Sequence, residues 1–440
     1  RVIMTQVIII SIKYAVILLM TYYTYASFRG IKNIKTEKDA IREKKYCFKQ
    51  SFVFFLIHGL MYTSIYLHTY QDKIIIFYGV QLLYFILLIQ ISKLYCENHN
   101  RQLLNVMSMM LMIGFVMLTR LSIDKAIRQF VFCVFSTILA SGIAFVMRKA
   151  KKYRDFYYLY AIIGIGALCA VYAIGKVTYG AKLSINLGFI SIQPSEFVKI
   201  SYVMFICGLL YKAQNWKNII LSAIFAGIHI MVLVLSSDLG TALIFSIVYI
   251  FLIYMATGKS YFLLGGLSIG CIAAYMGYKL FYHVQVRVAA WLDPWPIIDN
   301  KGYQITQSLF AIGTGGLFGM GLFEGMPNAI PVVDQDFIFS AISEELGAIF
   351  GVCIILLSFN VFLIFIKTAI ACKDDYYRLL CAGLAVTYGF QLFLTVGGAI
   401  KLIPSTGVTY PLISYGGSSL MSTIFMFFIV QGVRINENKQ

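Results

Sequence analysis

Residues 239–257 read Leu239-Gly240-Thr241-Ala242-Leu243-Ile244-Phe245-Ser246-Ile247-Val248-Tyr249-Ile250-Phe251-Leu252-Ile253-Tyr254-Met255-Ala256-Thr257. No charge interrupts the run, and Asp238 and Lys259 bracket it. A helix crosses the bilayer hydrocarbon with about 20 mostly apolar residues, so this stretch is predicted to span a membrane. Comparable runs fall near 3–25, 51–69, 73–95, 101–120, 127–147, 155–175, 195–212, 217–235, 260–280, 337–365, 376–400 and 411–433, which makes thirteen spans. Open sheets are excluded in hydrocarbon, where unpaired backbone groups are too costly. The alternating strands of about ten residues that mark a membrane barrel are absent. The expected fold is an all-α polytopic membrane protein.

Composition and charge agree. Of 440 residues, 60% are hydrophobic and 12% charged, against about 25% charged in soluble domains. The first apolar run is longer than the roughly 7–15 residues of a signal-peptide core. The net charge of +17 gathers in short loops between apolar runs, which encodes orientation and attracts anionic membrane lipid. It forms no basic soluble domain for nucleic acid. The strongest basic loop, 26–50, carries Arg29, Lys32, Lys35, Lys38, Arg42, Lys44, Lys45 and Lys49 and is expected in the cytoplasm. Alternation then places Arg148 to Arg154, Lys212, Lys217, Lys259, Lys367, Lys373, Arg378 and the tail from Arg434 on the same side, with the N-terminus outside.

Four atypical connectors remain for the outer face: 176–195, the corner Ser236–Gly240, 281–336 and 401–410. Loops longer than about 12–15 residues are usually functional or disordered. The apolar pattern from Ile305 to Leu322 predicts re-entrant or interfacial helices inside 281–336. Residues 1–100 read as an accessory region of three spans, without an acid inside an apolar run, and 101–440 as a ten-span core. The nine cysteines read as small apolar filler. The five histidines show no metal-ligand spacing, so no structural metal is expected.

Charges within or beside spans are expensive and therefore functional candidates. Glu196, Asp238, Asp336, Glu344 and Glu345 qualify. Glu196 and Lys199 stand three apart in Gln193-Pro194-Ser195-Glu196-Phe197-Val198-Lys199 and share a helix face. They form either a local ion pair at a helix start or a polar wall of an outward cavity. Asp238 reads as a helix cap. The long loop carries Arg287, Trp291 and Trp295, then Gln304, Gln307 and Ser308, then the string Gly313-Thr314-Gly315-Gly316-Leu317-Phe318-Gly319. Such glycines let backbone N–H groups approach a phosphate, or serve turns and packing. Asp336 falls at a helix N-terminus, which favours an ionised carboxylate. Glu344 and Glu345 lie about two turns deeper, and adjacent helical residues point apart, so at most one is expected to face a cavity. Ser414, Gly416, Gly417 and Ser418 suggest close backbone approach or tight helix contact.

Five strings in order, QPSEFVK (193–199), DLGTA (238–242), YQITQSLFAIGTGGLFGMGL (303–322), DFIFSAISEELG (336–347) and STGVTYPLISYGGSS (405–419), resemble the SEDS family (shape, elongation, division and sporulation), whose members include RodA, FtsW and SpoVE. The resemblance covers about 101–440. It implies a peptidoglycan glycosyltransferase of the bacterial cytoplasmic membrane. Such an enzyme polymerises lipid II into β-1,4 glycan strands on the outer face, releases undecaprenyl diphosphate, and works with a class B penicillin-binding protein. The family's essential aspartate maps onto Asp336. Two departures stand out. The usual P-E-A-H-T-D is Pro331-Val332-Val333-Asp334-Gln335-Asp336 here, and R-W-I-D-L-G appears as Leu183-Ser184-Ile185-Asn186-Leu187-Gly188.

For that reaction Asp336 is the expected base. Arg287, Lys199 and Lys401 are expected to stabilise the leaving diphosphate. Glu196, Gln304, Gln307, Ser308, Glu345, Ser414, Gly416, Gly417 and Ser418 are the further expected substrate contacts. A divalent cation, Mg or Mn, could assist the leaving group, though no ligand cluster demands one. Two rival readings stay open: a flippase or transporter for the lipid-linked precursor, and a non-catalytic cell-wall scaffold.

Overall fold

The computed structural model describes residues 2–30, 37–95, 100–149, 152–178, 181–186, 191–211 and 215–437. Lys32, Lys35, Lys151 and Lys212 of the basic loops, Leu187, Gly188 and the last three residues of the tail lie outside the described residues.

In chain order the helices are α1 (Val2–Gly30), α2 (Glu37–Thr69), α3 (Asp72–Tyr95), α4 (Arg101–Leu121), α5 (Ile123–Lys149), α6 (Tyr157–Ile174), α7 (Pro194–Leu210), α8 (Trp216–Leu235), α9 (Leu239–Thr257), α10 (Ser260–Leu280), α11 (Tyr282–Leu292), α12 (Tyr303–Gly315), α13 (Ile338–Ala371), α14 (Asp375–Ala399) and α15 (Gly417–Glu437). Among the described residues, twelve helices are long and apolar enough to cross a membrane. The thirteenth expected span is α7. It has 17 residues, and most of its length is buried among other helices, including Glu196 and Lys199. Helices α11 and α12 form inside the long loop 281–336, where the pattern from Ile305 placed helical structure. The connector after α6 holds a small antiparallel sheet in the order β1 (Lys176–Thr178), β2 (Ala181–Asn186), β3 (Ser191–Ile192).

The core centres on α4, whose residues Gln102 to Thr119 are all buried. Helices α1, α2, α3, α5 and α13 pack around it. Interhelical hydrogen bonds tie this packing, as is usual where apolar helices meet. His58 and Gln81 are 3.2 Å apart, Gln81 Nε2 donates to the Tyr62 hydroxyl at 2.6 Å, and Tyr62 reaches Thr119 of α4 at 3.2 Å. At its other face α4 admits backbone. A Cβ on Gly114 would sit 2.7 Å from Ile413 O.

Two expectations need correction. Helix α15 starts at Gly417, not 411. Leu412 takes φ +67°, and the Ser414 hydroxyl accepts from Tyr410 N at 2.8 Å and donates to Gln335 O, so the apolar stretch before Gly417 folds as turns. Helix α13 is interrupted at Gly347, at φ 87°, ψ 166°. The segment after α12 enters this break and completes its backbone bonding. Met320 N donates to Glu344 O and Gly321 N to Glu345 O, both at 2.9 Å; Ala348 N donates to Gly316 O at 2.9 Å and Ile349 N to Leu317 O at 3.2 Å. Irregular backbone at membrane depth requires such satisfaction from within the protein.

Candidate active site

Residues 331–336 bring Asp336 to the start of α13, and each neighbour there is fixed. Tyr415 N donates to Asp334 O at 2.7 Å. Gln129 of α5 donates to Ser414 O at 3.0 Å and accepts from Gly416 N at 3.2 Å. Lys125, also on α5, pairs with the Asp334 carboxylate at 2.8 Å. On the opposite wall, Trp291 Nε1 donates to Lys401 O at 3.2 Å, and Gln304 Nε2 donates to Pro331 O at 3.1 Å. These bonds hold α11, α12 and the 401–407 loop around a cleft of about 100 Å³ lined by Arg287, Lys301, Gln304, Asp336, Ser405 and Gly407 among others.

The charged groups of the cleft converge on Gly407. A Cβ there would lie 3.6 Å from Asp336 Oδ2 and 3.7 Å from Arg287 Nη2, and Gly407 holds φ +75°, a conformation that side chains resist. Arg287 Nη1 is anchored on Ser405 O at 3.2 Å. Burial pushes the Asp336 carboxyl up to about 6, Asp334 adds to the rise, and the Arg287 charge pulls it back. Burial likewise lowers the Arg287 guanidinium, which Asp336 and Asp238 counteract. A half-buried carboxylate with this affinity for protons accepts one readily near neutral pH. Asp238 is the cap of α9, accepting from Thr241 N at 3.2 Å and from the Ser195 hydroxyl at 3.2 Å.

Asp336, Arg287 and Gln304 thus meet in one cleft, and the other expected contacts lie elsewhere. Glu196 and Lys199 pair at 2.7 Å inside the bundle, with Gln391 accepting from Lys199 at 2.9 Å and the Ser422 hydroxyl donating to Glu196 at 3.1 Å. Ser308 is fully enclosed, 2.6 Å from the Ser340 hydroxyl and donating to Ala399 O. Gln307 is half-buried and does not line the cleft. Lys401 does not line the cleft, and its carbonyl accepts from Trp291. Ser414 and Gly416 brace the Asp336 segment as above. Gly417 packs on the Phe132 ring, and Ser418 accepts from Gln193 N at 3.0 Å.

Glu344 and Glu345 both turn their carboxylates to the loop at 323–326. Glu344 accepts from Met326 N at 3.0 Å, and Glu345 accepts from Phe323 N at 3.2 Å and pairs with Arg120 at 2.8 Å. Neither reaches the Asp336 cleft. In the glycine string, a Cβ on Gly315 would lie 2.0 Å from Ser343 O and one on Gly319 2.3 Å from Glu345 O, so these two glycines admit α13 backbone, whereas a Cβ on Gly313 or Gly316 would meet nothing within 4 Å. Sequence reasoning missed Lys301, whose place three residues before Gln304 was the available signal. It also missed Lys125, Gln129 and Gln391, which carry no motif.

Among the described residues no three of His, Cys, Asp and Glu gather as metal ligands. Asp336 is the single carboxylate lining the cleft, a donor set that does not make a resident Mg or Mn site.

The family model described as cell cycle protein, of FtsW, RodA and SpoVE, matches residues 100–439. The peptidoglycan glycosyltransferase RodA of Mycobacterium tuberculosis is 38% identical over 268 residues, 57% of each chain; this chain therefore matches less than two thirds of that relative's length. The probable peptidoglycan glycosyltransferase FtsW of Francisella salina is 33% identical over 362 residues, 76% of this chain and 88% of that one. A solved structure described as coordinating polymerization and crosslinking in a peptidoglycan synthase complex superposes with TM-score 0.67 at 25% identity, covering 78% of this chain and 99% of that chain. With three quarters of its length matched by the family model and its helices arranged as in a solved relative, this multi-pass membrane protein belongs to the FtsW/RodA/SpoVE family.

Proposed function

We propose that the chain polymerises lipid II into β-1,4 glycan on the outer face of the cytoplasmic membrane. The observation that carries this reading is the convergence of Asp336 and Arg287 on Gly407, in a cleft lined by two of the four connectors expected on the outer side, 281–336 and 401–410. The names of the relatives support it. In the reaction, the 4-hydroxyl oxygen of one sugar forms a bond to C1 of another. The C1–oxygen bond to diphosphate breaks, the bonding electrons leave with undecaprenyl diphosphate, and the hydroxyl proton passes to Asp336. Arg287 and Lys301 offset the charge that grows on the leaving group, with Arg287 able to grip two oxygens. Gln304 orients sugar or phosphate at the α12 wall. No step is assigned to a divalent cation.

The partner proposed is a class B penicillin-binding protein, which would supply crosslinking. The test is polymerisation of purified lipid II by the purified protein with and without that partner, using Asp336→Ala as control. Glycan strands from the wild type alone support the assignment. Strands from Asp336→Ala, or none from a folded wild type under either condition, return the weight to the flippase and scaffold readings.

A further inference from the structure

A second, larger cavity lies away from the cleft. It measures about 860 Å³ and opens between α1, the end of α2 and residues 320–324 of the segment that enters the α13 break. Helices α1 and α2 lie outside the family match. The volume falls within the roughly 300–1,000 Å³ of small-molecule sites.

The walls are largely apolar, with Ile12, Val16, Met61 and Leu346 among them, and Thr5, Gln6 and Ser64 also line the cavity. Two basic groups interrupt them. Lys13 donates to Gly319 O at 3.2 Å. Among the described residues it has no carboxylate within ion-pair distance, and an ammonium carries three donors. His68 Nε2 is enclosed and has no hydrogen-bond partner among the described residues. Lys13 is half-buried and its ammonium also lies 4.9 Å from the Tyr14 ring centroid, while an unsatisfied enclosed nitrogen is costly in apolar surroundings. Glu324, exposed at the rim, is the opposing charge.

We infer that this cavity binds a single-chain amphiphile with an anionic head. The chain lies along the apolar wall, and the head accepts from Lys13 and His68. The fatty-acid carboxylate and the lipid phosphate share this chemistry.

The probe is oleate, with oleyl alcohol as the uncharged control of equal length. Both are titrated onto the full chain in neutral-detergent micelles, and bound molecules are counted by native mass spectrometry. Wild type is expected to retain oleate in preference to oleyl alcohol. Lys13→Met is expected to weaken oleate about tenfold, a free-energy change of about 1.4 kcal/mol, and to leave oleyl alcohol unchanged. Glu324→Gln should tighten oleate. Ser64→Trp, which fills the cavity from α2, should lose both probes; Ile9→Trp replaces it if that variant is not monodisperse. The inference is overturned if wild type retains neither probe or holds both equally, if the filled variant binds like wild type, or if Lys13→Met weakens both probes alike.

Discussion

Gly319 occupies the gap that Gly347 opens in α13. A Cβ on Gly319 would lie 2.3 Å from Glu345 O, and one on Gly347 would lie 2.3 Å from Gly319 N. Both residues hold positive φ, +73° and +87°. Gly347→Ala therefore meets backbone on one side and an unfavourable conformation on the other. The expected loss is about 3 kcal/mol, read as a lowered thermal midpoint in micelles. A variant that melts with the wild type would show that the two segments need no such contact.

The acid limb of polymerisation should report Asp336. The carboxylate is the form that takes the proton, so activity is present above pH 6 and falls as pH drops through about 6. An unperturbed aspartate would place that fall near about 3.9. Arg287→Gln removes the charge that lowers the group, so the limb should move to higher pH while the maximal rate drops. A limb left in place by Arg287→Gln would dissociate the two residues.

Asp334 acts on the same carboxyl with opposite sign, because its charge raises Asp336. Asp334→Asn should move the acid limb to lower pH. It also removes the bond to Lys125, which is half-exposed, so the positional effect is modest, about fivefold in rate at roughly 1 kcal/mol. Exchanging the two residues, Lys125→Asp with Asp334→Lys, should recover part of that loss in the same polymerisation assay. No recovery would mean that the pair does not position the segment.

The Arg120–Glu345 pair is enclosed, with side-chain exposures of 10% and 0%. Arg120→Met strands a buried carboxylate, at an expected cost of about 3–5 kcal/mol. Arg120→Met with Glu345→Met should be more stable than the single variant, and a double-mutant cycle of thermal midpoints measures the coupling. Additive losses would argue against a direct pair.

The crossings were legible because hydropathy over about 20 residues is a strong signal, and even the short α7 declared itself through Pro194 at its first turn. What hydropathy hides is local backbone. Pro411-Leu412-Ile413 is apolar enough to pass for helix, yet Leu412 turns left-handed and Ser414 ties the loop. Within the run from Ile338 to Ala371 nothing in the sequence tells Gly347, where the helix breaks, from Gly351, where it does not, because the bonding partner of the break sits in the preceding loop. In the cleft, Asp336, Arg287 and Gln304 stood out by type and place. Ser308, Ser414 and Ser418 stood out equally, but their hydroxyls are used within the bundle, and sequence does not state where a hydroxyl directs its bond.

The break in α13 also bears on how the chain enters its membrane. Its exposed carbonyls at Glu344 and Glu345 and its N–H groups at Ala348 and Ile349 are satisfied by residues 316–321, which precede them in synthesis. A helix threaded singly into lipid with that gap open would carry unpaired backbone through hydrocarbon. The filling segment precedes the break in the chain, so both partners of this bonding lie within residues 316–349. The order of the chain thereby supplies the remedy ahead of the defect.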